Sequence, residues 1–120
     1  MVSPARMAQL EEEYESLEAS RDVKKAHVKV AEIGVRVAEA GLDRVARHFA
    51  NKVVSKEEVE KAQLEVDLAK AQLEIRLAEV KEVEVKVKYA KKRLDDAKLG
   101  GVRPLPGVRP APVGPGPNVR

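Results

Sequence analysis

The chain of 120 residues has no cysteine and no tryptophan. Disulfide frameworks, thiolate metal sites and cysteine nucleophiles are therefore excluded. Aromatic residues are 2% of the chain, namely Tyr14, Tyr89 and Phe49. An ordinary globular core leans on aromatic side chains, so this scarcity argues against one. There are two histidines, His27 and His48, which leaves little material for acid–base or metal chemistry. No run of 18 apolar residues is present, so no membrane span is expected. The opening Met1-Val-Ser-Pro-Ala-Arg-Met7 lacks the apolar core of a signal peptide.

What is abundant is charge and small aliphatic surface. Charged residues make up 36% and apolar residues 43%, the latter mostly Val, Leu and Ala. Such a mixture is typical of long helices and coiled coils. The net charge of +3 is carried by the end of the chain. Residues 99–120 hold Arg103, Arg109 and Arg120 with no acid, and the rest is balanced. No basic stripe with interleaved aromatics accompanies the charge, so no nucleic-acid partner is expected.

Composition divides the chain at Gly100-Gly101. Six of the seven prolines follow that point, within a short repeat, Gly-Val-Arg-Pro-Leu-Pro (101–106) and Gly-Val-Arg-Pro-Ala-Pro (107–112). Prolines at this density block helices and central strands, so 99–120 is expected to be a disordered, locally polyproline-II tail. Within it, Arg109-Pro-Ala-Pro-Val-Gly-Pro115 fits an R-x-x-P-x-x-P ligand pattern. A plain linker is the favoured reading of the same residues.

Residues 4–98 read as two helices, about 4–49 and 55–98, around a turn at about 50–54. In the second half, Val59, Ala62, Val66, Ala69, Leu73, Arg76, Val80, Val83, Val87, Ala90, Leu94 and Ala97 step by three and four. In the first half, Met7, Leu10, Tyr14, Leu17, Arg21, Lys24, Val28, Ala31, Val35, Ala38, Leu42, Val45 and Phe49 do the same. This spacing is a coiled-coil seam, with Arg21, Lys24 and Arg76 as its polar exceptions. Ser55-Lys-Glu-Glu58 fits a capping box with Val54 and Val59 as a hydrophobic staple, and Ser3-Pro4 suits the other helix start. So short a turn makes the helices antiparallel. Residue numbers adding to about 108 are expected to pair, with Glu11, Glu12, Glu13 and Glu15 near Lys91, Lys92 and Arg93. Val83–Tyr89 and Ile33–Val37 also alternate with period two, as strands do. The unbroken heptads through them favour helix. The predicted fold is thus all-α, a long antiparallel two-helix coiled-coil hairpin with a disordered tail.

A second apolar stripe runs beside the seam. Val30, Ile33 and Val37 carry it on the first helix, and Leu64, Leu68, Ile75, Val85 and Tyr89 on the second. An isolated hairpin buries one stripe per helix, and a large exposed apolar patch usually marks an interaction site. The stripe either packs hairpins side by side or docks another helical protein, or it closes a compact bundle by dimerisation. His27, Gly34, Gly41 and His48 recur every seven residues. The glycines either admit a neighbouring backbone or are tolerated within the rod. The histidines lie roughly 30 Å apart at helical rise, too far to share a metal. No phosphate loop, metal-ligand spacing or catalytic constellation is present. The expectation is a non-enzymatic module without cofactor or metal.

The turn sequence, Arg44-Val-Ala-Arg-His-Phe-Ala-Asn-Lys-Val-Val-Ser55-Lys-Glu-Glu-Val-Glu-Lys-Ala62, resembles the hairpin tip of periplasmic adaptor (membrane fusion, HlyD-like) proteins of efflux pumps and type I secretion systems. Residues 62–74 look like their returning helix, and the resemblance covers roughly 30–95. It implies a hairpin that oligomerises side by side and docks at its tip on the helical tips of an outer-membrane channel, in a cell envelope. Arg44 and Ser55 match the ends of that family's R-x-x-x-L-x-x-x-x-x-x-S tip pattern. His48 stands at the Leu position with Phe49 beside it, so Arg44, His48, Phe49 and Ser55 form the candidate docking tip. The family's lipoyl-like and β-barrel domains have no counterpart in these residues, and the helical segments of the channels are similar too. Alternative roles are a self-assembling filament or shell subunit, or a small regulator or chaperone that captures a helix.

Overall fold

A computed structural model describes residues 2–99; the expectations for the Pro-rich tail lie outside them. The described residues form two helices, α1 (Pro4–Ala50) and α2 (Lys56–Lys98), with no strand. Both segments with period-two alternation are helical. The helices pair as an antiparallel hairpin about 73 Å long. That length is what 47 residues give at the α-helical rise of about 1.5 Å.

Each helix start is fixed by its cap. The Ser3 hydroxyl accepts the Arg6 N–H at 3.1 Å and Pro4 fills the first turn, where its missing N–H costs nothing. The Ser55 hydroxyl accepts the Glu58 N–H at 3.3 Å. Among the described residues the Glu58 carboxylate makes no return bond, so half of the expected capping box is present. Between the helices, Lys52 takes a left-handed backbone with φ 62. Its N–H donates to the Phe49 carbonyl at 2.9 Å and the Val53 N–H to that of His48 at 2.8 Å. This is a Schellman closure, which satisfies carbonyls that the end of α1 leaves free.

The seam spacing sets the packing. Every α2 seam residue except Arg76 is buried or half-buried, and every α1 seam residue except Phe49. Burial is deeper on α2, where Ala62, Val66, Val83, Val87, Ala90, Leu94 and Ala97 are buried, against Leu10 alone on α1. Leu10, Leu94 and Ala97 close the base, with Val2, Met7 and Tyr14 against them.

Cross-helix ion pairs mark the register: Glu39 with Lys70 at 3.9 Å, Lys24 with Glu79 at 4.0 Å, and Glu13 with Arg93. The first and last agree with the expected pairing. Leu10 against Leu94 and Ala97 agrees with it too, and only Lys24, expected near Glu84, reaches about one turn nearer the tip, to Glu79.

Candidate interaction surface

The polar exceptions in the seam gather at mid-hairpin. Arg76 donates to the Glu79 carboxylate at 3.1 Å, and Lys24 approaches the same oxygen. The Arg76 hydrogen bond, reinforced by Lys24, holds the Glu79 carboxyl below its ordinary range. Arg21 sits near Glu18 at 3.7 Å and Asp22 at 3.9 Å. Glu79 lies off the seam, and seam spacing alone therefore gave it no role. A polar layer of this kind breaks the uniformity of an apolar seam and favours one alignment of the helices.

The second stripe is exposed. Val30, Ile33, Val37, Leu64, Leu68, Ile75, Val85 and Tyr89 each leave 50–68% of their surface open. Their placement is one-sided. Val30 and Ile75 line one open groove with Gly34, Ala69 and Gln72. Val37 and Leu68 line its continuation toward the tip with Gly34 and Gly41. Tyr89 lines a third stretch toward the base, with Glu13, Ser16, Lys86 and Arg93. Ile33, Leu64 and Val85 stand one step further round their helices, on the outer edges.

Sidedness follows from the row each residue occupies, since residues three and four apart share a face. The groove row of α1 runs Ser16, Ser20, Val23, His27, Val30, Gly34, Val37 and Gly41, an uncharged stretch bounded on the same row by Glu13 and Arg44. The row on the opposite flank runs Glu18, Asp22, Lys25, Lys29, Glu32, Arg36, Glu39 and Asp43, all charged. On α2 the groove row mixes Leu68, Ile75 and Tyr89 with Glu65, Glu79, Glu82 and Lys86. Its far flank is charged apart from Gln63 and Leu77. Stripe residues were legible in the sequence; that the stripes of both helices converge on one side required heptad positions to be carried across an antiparallel pair.

The tip residues do not form one cluster of free groups. Arg44 and His48 are exposed and Phe49 is 46% exposed, beside Val53 at 70%. Ser55 is occupied as the cap of α2. The Arg44 guanidinium turns back along α1, 3.8 Å from where a Cβ on Gly41 would stand. Among the described residues no three His, Cys, Asp or Glu side chains converge as a metal set. No helix among them is long and apolar enough to cross a membrane. No family model, curated protein or solved structure matches the chain.

Proposed function

We propose that this protein is a non-enzymatic structural module whose hairpin self-associates through its apolar side. The observation that carries this reading is the contrast between the two flanks of α1 along its middle, one uncharged from Ser16 to Gly41 and the other charged at every position from Glu18 to Asp43. A helix that met water on both flanks would have no need of the difference, whereas one held between two partners would. Paired Val37→Asp and Leu68→Asp substitutions place charge on the groove without touching the seam. Their expected effect is loss of self-association with helical content retained. An oligomer of unchanged mass would remove the proposal.

A second reading rests on Phe49 and Val53 at the tip. Exposed apolar residues at the end of a rod suit end-on docking, and the resemblance to adaptor hairpins supplies a partner class, the helical tip of an outer-membrane channel. In that role the hairpin would belong to export machinery of a cell envelope. Such a channel tip should bind the wild-type hairpin and lose binding to a chain carrying Arg44→Glu and Phe49→Ser. Equal binding to both would discard this reading.

A further inference from the structure

We infer that the apolar side is covered by a second copy of this chain, laid face to face and tip to base, about a two-fold axis passing between Val30 and Ile75. The inference rests on the self-association reading above and adds its geometry. Val30 and Ile75 lie at the same level of the rod, since they line one groove. A two-fold at that level runs α1 along α1 of the other copy and α2 along α2, each antiparallel.

The α1 rows are then complementary in size. Val30 meets its own equivalent and Val23 meets Val37. Between them the broad residue of one copy falls on a glycine of the other, His27 on Gly34 and Ser20 on Gly41. Inside the hairpin those glycines have no task. A Cβ on Gly34 would meet nothing within 4 Å, and one on Gly41 only the far end of Arg44. Glycine is the poorest helix former after proline, so space for an incoming neighbour accounts for it here.

The α2 rows are complementary in charge under the same axis. Glu65 faces Lys86, Glu58 faces Arg93, and the Gln72 amide faces the Glu79 carboxylate. Leu68 falls on Glu82 and Tyr89 on Lys61, the two pairs without charge complementarity. With the tips together, a two-fold would instead lay α1 on α2 of the other copy. Glu82 and Lys86 would then press on the uncharged stretch of α1, which has no counter-charge to meet them, while Glu79 would keep Arg76 and Lys24. Desolvated charge without a partner is unfavourable. The shared face, from Ser16 to Arg44 and two helices wide, covers on the order of 800 Å² per copy at helical rise and diameter. That matches the area each partner contributes to a standard stable interface.

Because the chain has no cysteine, single cysteines report positions cleanly. With a short bis-maleimide, Val30→Cys and Ile75→Cys should each cross-link to itself. Val23→Cys should not, being about 20 Å from its equivalent along the axis, yet it should cross-link when mixed with Val37→Cys. Lys86→Glu should weaken association by about tenfold, and Glu65→Lys in the same chain should restore it. Cross-linking of Val30→Cys to Ile75→Cys chains, with neither linking to itself, would overturn this geometry and leave self-association standing. A chain monomeric at every concentration would overturn both.

Discussion

Lys52 holds the tip in a backbone conformation that favours glycine. Its φ of 62 brings the side chain toward its own carbonyl, at a cost of roughly 1 kcal/mol for an L-residue. Lys52→Gly should therefore raise the stability of the hairpin by up to about 1 kcal/mol, less whatever the more flexible unfolded chain takes back. Thermal unfolding followed by circular dichroism measures this, and a lower midpoint would contradict the Schellman closure. Glu79 supplies a second test at the same scale. Arg76 and Lys24 lower its folded pKa below the ordinary 4.5. Its contribution to stability is thus present above that value and is lost as pH falls through the lower folded value. A nuclear magnetic resonance titration should show the Glu79 carboxyl ionising below the ordinary range, and Arg76→Ala should return it upward. An unmoved titration in that variant would mean the hydrogen bond is not the cause.

Each helix carries its own fold information, and the two carry it unevenly. The seam of α2 is small and deeply covered, with Val66 only 2% exposed; that of α1 is larger and half-open. Val66→Asp should cost about 3–5 kcal/mol, as an uncompensated buried charge does, and a chemical denaturation curve would read it. An unchanged midpoint would show that the seam is misplaced. The helices, caps and seam were legible because each depends on local spacing: Ser3, Ser55 and the three-four steps need no knowledge of the partner helix. The ion pair of Lys24 with Glu79 was not legible, because it depends on where a long side chain reaches across the hairpin. The Arg76 bond to Glu79 is local, a three-residue step on one helix, but Glu79 lies off the seam and its spacing did not single it out. Of the tip, Arg44 and His48 could be placed on an exposed end. That Ser55 is used up in capping follows from its bond to the Glu58 N–H.

As a whole the molecule is a thin rod with two unlike flanks, and a rod two helices thick cannot bury both seams of α1 by itself. Among the described residues no third helix lies over Val30, Val37, Leu68 and Ile75, and they stay open. Covering them is favourable at about 25 cal/mol per Å² of apolar surface, and in the proposed self-association that is the step they serve. Light scattering in line with size-exclusion chromatography, over a range of concentrations, tests this most directly. The account predicts a discrete species of twice the 13.2 kDa chain mass. A mass of one chain at every concentration would contradict it.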